Sequence, residues 1–157
     1  MKTLMGRAIA SVFAASAVAV FTAGPAAAAP DDVTLTAAAR GQTVTATITN
    51  NTGADIGCAV IGMPPGLHPE HDPIAFSVGF VDNEFEPVTI SPGTHAIAFQ
   101  RVPEGDYVVD WGCTDNVREV WGTPLMYSLS ATAEPVSVTV VAEDCFGSAC
   151  LPPAFGL

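Results

Sequence analysis

The chain has 157 residues, 49% of them hydrophobic, and its 16 carboxylates outweigh 5 basic residues to give a formal charge of −11. Such a surface repels nucleic-acid phosphates and anionic lipid, so nucleic acid is not an expected partner and polybasic membrane attachment is excluded. The length suits a single domain with a real core.

Lys2 and Arg7 are the only charges before Asp31, and residues 8–23 are apolar apart from Ser11, Ser16 and Thr22. A positive start, a short apolar run and the small-residue exit Ala26-Ala27-Ala28 make residues 1–28 a secretory signal peptide. The apolar run is shorter than the ~20 residues that cross hydrocarbon, and it meets the helix-breaking Gly24-Pro25. Cleavage after Ala28 is expected, because a cut after Ala29 would set Pro30 beside the scissile bond. The product, residues 29–157, is then one secreted domain, extracellular or loosely held at the cell surface, with no integral membrane segment. The Ala-, Gly- and Pro-rich leader has the composition of high-GC bacterial chains. With the leader gone, the three arginines Arg40, Arg101 and Arg118, and no lysine, face all 16 carboxylates, a charge of −13. Scattered acids of this kind keep a domain soluble and monomeric. A cationic partner or loosely held divalent ions is the rival reading.

Residues 33–38 (VTLTAA) alternate apolar and small polar side chains. Residues 42–49 (QTVTATIT) do so more strictly, with Val44, Ala46 and Ile48 on one face and threonines on the other. That period of 2 and the β-branched content predict strands. Asn50-Asn51-Thr52-Gly53 predicts a turn. Residues 56–63 (IGCAVIGM) form the next strand, carry Cys58, and stop at Pro64-Pro65-Gly66. Residues 67–73 read as loop and 74–81 as an alternating strand; Asp82-Asn83-Glu84 turns the chain into a short strand over 85–90. Residues 94–102 place His95, Ile97 and Phe99 on one face. Residues 106–113 (DYVVDWGC) put Tyr107, Val109, Trp111 and Cys113 together, which marks a core face. Residues 115–123 read as a loop, 125–131 as a weak strand, 136–141 as a strong strand, and the tail from 143 carries a small cysteine loop.

Four cysteines in an exported chain, Cys58, Cys113, Cys145 and Cys150, imply two disulfides, with three pairings open. Cys58–Cys113 and Cys145–Cys150 are expected. The first pair falls within apolar strands, and the second flanks a short stretch centred on Gly147 and Ser148. Zinc ligation is disfavoured, because only one close pair exists and export favours oxidation.

No stretch carries a long helical apolar stripe, so about seven to nine short strands with Gly/Pro turns predict an all-β sandwich or barrel. The succession of a β-branched strand, an NNTG turn, a strand with Cys58, then ISPGT and VPEGDYVVDWGC with Cys113 resembles the immunoglobulin-like β-sandwiches of small exported bacterial proteins. The likeness covers residues 33–141 and implies two packed sheets, with no particular chemistry. Trp111 stands two residues before the second cysteine, whereas antibody-type domains carry theirs on the strand after the first.

Residues with chemical potential are few. His68-Pro69-Glu70-His71-Asp72 is the one metal-capable cluster, but its prolines oppose a helical turn, and it reads as a polar surface loop. Asp82, Glu84 and Glu86 alternate like part of a calcium loop but lack the glycine and terminal glutamate of an EF-hand. No metal and no cofactor is therefore expected. GxSxG and phosphate-cradling glycine loops are absent, so a small hydrolase assembled from loop residues, with Ser77 or Ser91 beside His95, is only an alternative. The favoured reading is a non-enzymatic binding module whose surface uses Arg118, Trp121, Tyr127 and Phe155 to hold an extracellular protein or cell-envelope component. An extracellular structural or scaffold domain is the third reading.

Overall fold

Alternation of apolar and polar side chains sets the first two strands, β1 (Val33–Arg40) and β2 (Thr43–Asn50). They pair antiparallel, and β8 (Gly93–Phe99) pairs with the free edge of β2 to complete a three-stranded sheet in the order β1-β2-β8. Val44, Ala46 and Ile48 are fully buried from this sheet, and the threonines between them face outward. The computed structural model describes residues 29–81, 84–115 and 119–142 and the backbone of Asp144–Phe146 and Ala149–Leu151. The expected leader, Asp82, Arg118 and Phe155 lie outside the described residues, as do the side chains of Cys145 and Cys150.

The second sheet is built on β3 (Ile56–Met63) and β9 (Gly105–Thr114). Strand β3 is an unbroken apolar run and is buried at every position, as expected of a strand covered on both faces. Beside this pair lie β4 (Phe76–Val78) and β7 (Val88–Ile90) on the β3 side, and β10 (Val120–Gly122) and β11 (Val136–Val140) on the β9 side. The inward faces of both sheets contribute to one core, in which Val33, Val44 and Ile48 meet Val60, Val109, Trp111 and Val138. Phe76 closes one end, with its ring 4.7 Å from Phe99 and 5.7 Å from Tyr107. The Tyr107 hydroxyl donates to the Pro103 carbonyl at 2.9 Å, pinning the entry of β9.

The Asn50-Asn51-Thr52-Gly53 turn is held by a buried side chain. Asn50 Nδ2 donates to the Ala54 and Ile90 carbonyls at 2.8 and 3.0 Å, and its Oδ1 accepts the Thr52 amide and hydroxyl. A buried amide with all its partners present ties the β2–β3 turn to β7.

Cys58 and Cys113 stand directly opposite each other on β3 and β9 and form a disulfide with a Cα–Cα distance of 4.1 Å. The bridge therefore joins neighbouring strands of one sheet. Two short hairpins complete the strands: β5 (Phe80–Val81) with β6 (Glu84–Phe85), and β12 (Asp144–Phe146) with β13 (Ala149–Leu151). The backbone register of the second sets Cys145 opposite Cys150.

Four segments depart from the sequence reading, one of them residues 85–90, which Glu86-Pro87 divides between β6 and β7. Residues 125–131 are not a strand but a helical turn α1 (Pro124–Tyr127) followed by a 3-10 turn (Ser128–Ser130). Pro124 occupies the first helical position, where its missing N–H costs nothing, and the Thr123 carbonyl accepts the Met126 and Tyr127 amides at 3.1 Å. Residues 115–123 are not all loop, because β10 adds to the end of β9. Residues 74–81 break at Gly79, which takes a φ of +68° and lies so close to the Cys58 carbonyl that an added Cβ would come within 2.5 Å of it. Among the described residues no helix is long and apolar enough to cross a membrane.

The bridge closes a long loop, with its cysteines 55 residues apart. Chain-entropy arithmetic assigns such a link about 4 kcal/mol. Replacing both cysteines, Cys58→Ala with Cys113→Ala, should lower the denaturant-unfolding free energy by about that amount. A loss under ~1 kcal/mol would show that β3 and β9 are held by packing alone.

Candidate functional site

The outward face of the central sheet is covered irregularly, and the gap in that cover is a cleft of about 500 Å³. Its floor is the outward pair Thr114 and Val120, which stand opposite each other where β10 meets β9. Leu125, Met126 and Tyr127 of α1 form one wall, and Phe80 and Phe85 of the β5–β6 hairpin form another. His68, Pro69 and Glu70 close the remaining side.

Two close contacts place α1 so that this space exists. Gly112 lies beneath the helix, and an added Cβ there would come within 2.9 Å of the Tyr127 ring and 3.0 Å of Met126. The Tyr127 hydroxyl donates to the Cys113 carbonyl at 3.1 Å, which ties the helix to the bridged end of β9. Burial pushes the Tyr127 hydroxyl above its usual tyrosine pKa, so it stays a neutral donor.

The polar side of the cleft is a single turn. The His68 carbonyl accepts the His71 and Asp72 amides at 3.0 and 2.9 Å, and Asp72 Oδ2 accepts the His68 amide at 3.0 Å. Despite Pro69 and Pro73, the histidines are thus gathered, with ring centroids 6.2 Å apart. Glu70 Oε2 sits 3.9 Å from His68 Nδ1 and 4.0 Å from His71 Nε2. Among the described residues no group of three or more His, Cys, Asp or Glu side chains is placed to hold a metal ion.

Ser91 and His95 do meet, with Ser91 Oγ 3.3 Å from His95 Nε2. The same nitrogen lies closer, at 2.9 Å, to the Ser91 carbonyl oxygen, which can only accept. Nε2 therefore carries the proton and donates it to the carbonyl, so it is not a base toward the hydroxyl. Ser77 points elsewhere, donating to the Phe80 carbonyl at 3.3 Å.

Of the two described side chains among the four expected to form a binding surface, Tyr127 lines the cleft and Trp121 does not. Trp121 is 3% exposed: its register opposite Cys113 turns the indole inward, and Nε1 donates to the Ala29 carbonyl at 3.1 Å. It seals the core. Arg118 and Phe155 fall outside the described residues. Phe80, Phe85, Leu125 and Met126 went unselected because they come from separate segments with no shared spacing. The local signal was the apolar group PLMY straight after a glycine-bearing strand.

Asp110 lies on the same outward face of β9, opposite Ile61, and is 8% exposed, with no hydrogen-bond partner for Oδ1 among the described residues. Burial raises its pKa above the ordinary 3.8, and the Thr123 side chain opposes part of that rise.

No family model matches the chain, and no curated protein or solved structure matches it.

The raised pKa of Asp110 has a sign that can be tested. The folded state holds this proton more tightly than the unfolded chain, so stability falls as pH rises from 3.8 through the raised value. Asp110→Asn removes the buried charge and should stabilise the fold at pH 7 by on the order of 1 kcal/mol. Melting temperatures across pH should show the gain shrinking toward pH 4. A gain constant over that range would mean the charge is not its cause.

Proposed function

We propose that the protein is a secreted, non-enzymatic binding module whose small ligand seats an apolar group in the cleft over β9 and β10. The cleft itself carries this reading. Its volume of about 500 Å³ lies within the ~300–1,000 Å³ of small-molecule sites, and such sites have apolar walls with a few polar groups. Phe80, Phe85, Leu125 and Met126 supply the walls, whereas His68, Glu70, Thr114 and the Tyr127 ring edge supply the polar groups. The wall residue Phe85 is itself 39% exposed, an apolar side chain open to a ligand.

We read the two sheets as an immunoglobulin-like sandwich. The orders β1-β2-β8 and β3-β9-β11 follow the A-B-E and C-F-G order of that fold. Tyr107, hydrogen-bonded back to Pro103 at the start of β9, has the character of its tyrosine corner. The bridge within one sheet is where this chain differs.

Export fits the amino-terminal contacts. The Ala29 carbonyl receives the Trp121 indole, and the Ala29 nitrogen donates to Asp32 Oδ2 at 2.8 Å. A cut after Ala28 leaves both contacts and turns that amide into an α-ammonium beside a carboxylate. The opposed backbones of Cys145 and Cys150 support a second, small bridge. Intact mass of secreted protein should equal that of a chain starting at Ala29 with both bridges closed, and non-reducing peptide mapping should pair Cys145 with Cys150. A mass that still includes Lys2 and Arg7, or a peptide joining Cys58 to the tail, would overturn these readings.

The binding reading is tested with N-phenyl-1-naphthylamine, a neutral apolar probe that brightens when it leaves water. The mature protein should bind it saturably, and Leu125→Asp should weaken that binding at least ~10-fold, as expected for a charge placed in an apolar wall that the bound probe covers. The far-ultraviolet spectrum should remain unchanged. Equal binding by the two proteins would remove the cleft from consideration.

A further inference from the structure

We propose that the cleft continues into a neighbouring polar hollow to form one two-part site for a small cationic amphiphile, with Glu70 as the counter-charge. The inference rests on the binding reading above and names the chemical class of its ligand. The hollow measures about 440 Å³ and is lined by His71, Asp72 and Ser77. It shares Pro69, Glu70 and Phe80 with the apolar cleft, so these three residues form the ridge between the two spaces.

The ridge determines what can lie across it. Phe80 gives an aromatic surface to both sides, and a positive group over an aromatic face is attracted by the ring quadrupole. The Glu70 side chain keeps 73% of its exposure, so its carboxylate is free to meet a ligand. Asp72 is committed to the turn through the His68 amide. His68 and His71 are the titratable groups that face Glu70, and no lysine or arginine is among the described lining residues. Beyond residue 28 the whole chain has three arginines against 16 carboxylates. Its field therefore concentrates cations and repels anions at any mouth on its surface. An apolar body in the first space and a cationic head beyond the ridge satisfy both halves. A fatty acid would bring its carboxylate to Glu70 and be rejected.

The test uses three eight-carbon competitors with one tail and different heads: octyltrimethylammonium, octanol and octanoate. Each displaces N-phenyl-1-naphthylamine from the mature protein at pH 8. The cation should displace best, the alcohol less well and the anion least. Glu70→Gln should weaken the cation about threefold or more, the size of a partly screened charge pair, and leave octanol unchanged. Glu104→Gln removes one carboxylate from the turn before β9 and serves as the control for overall charge. If Glu70→Gln and Glu104→Gln behave alike, or if octanoate competes as well as the cation, the two-part site is wrong while the apolar cleft stands. If none of the three displaces the probe and Leu125→Asp changes nothing, the binding reading itself fails.

Discussion

Strands β3 and β9 run antiparallel through seven paired positions, from Gly57 opposite Thr114 to Met63 opposite Val108. Nearly every residue of the pair is out of water on both faces. A sheet exposed on one side would show polar residues at alternate positions, but β3 offers none, so each face must be covered. On the inner side the cover is regular, because β1, β2 and β8 lay an alternating sheet over Val60, Val109 and Trp111. On the outer side no broad sheet lies over the pair among the described residues. Ala59, Ile61, Met63 and Gly112 are nevertheless buried there, α1 resting on Gly112 and Gly79 on Ala59.

A regular sheet packs without gaps, whereas a one-turn helix and a two-residue hairpin cannot tile a twisted surface. The cleft is the consequence of that mismatch. It lies where the central pair is most firmly held: Thr114 on its floor follows Cys113, and Tyr127 on its wall donates to the Cys113 carbonyl. A site whose floor is a bridged strand keeps its geometry without help from the ligand, which lowers the ordering cost of binding.

The strands were legible because period 2 is a local property. Residues 42–49 and 106–113 carry that pattern and residues 56–63 an unbroken apolar run, and the expected inward set Tyr107, Val109, Trp111 and Cys113 is buried in the core. The Cys58–Cys113 bridge was legible for the same reason, since both thiols fall on apolar faces. Trp121 was misread because its environment is set by a partner strand. Placed in a loop it was expected outside, but pairing with Cys113 turns it in. The cleft was illegible for a stronger reason. Its described lining comes from residues 68–70, from Phe80 and Phe85, from Thr114 and Val120, and from residues 125–127, and no one segment holds enough of it to show a pattern.

The division between bridged core and attached cover also separates stability from recognition. Trp111, Val109 and the disulfide belong to the inner face, where loss of volume is costly. Phe85 and Leu125 belong to the outer cover and remain partly exposed, so exchanging one apolar side chain for another there removes little buried area. The polar turn at residues 68–72 is a third independent part, held by its own backbone bonds and the Asp72 carboxylate. Glu70 joins that turn through its backbone amide, which donates to His68 Nδ1 at 3.4 Å, and not through a side-chain hydrogen bond, so its charge can change without loosening the loop that carries it. In the proposed site, shape would thus be set by α1 and the β5–β6 hairpin, and charge preference by one side chain on the ridge.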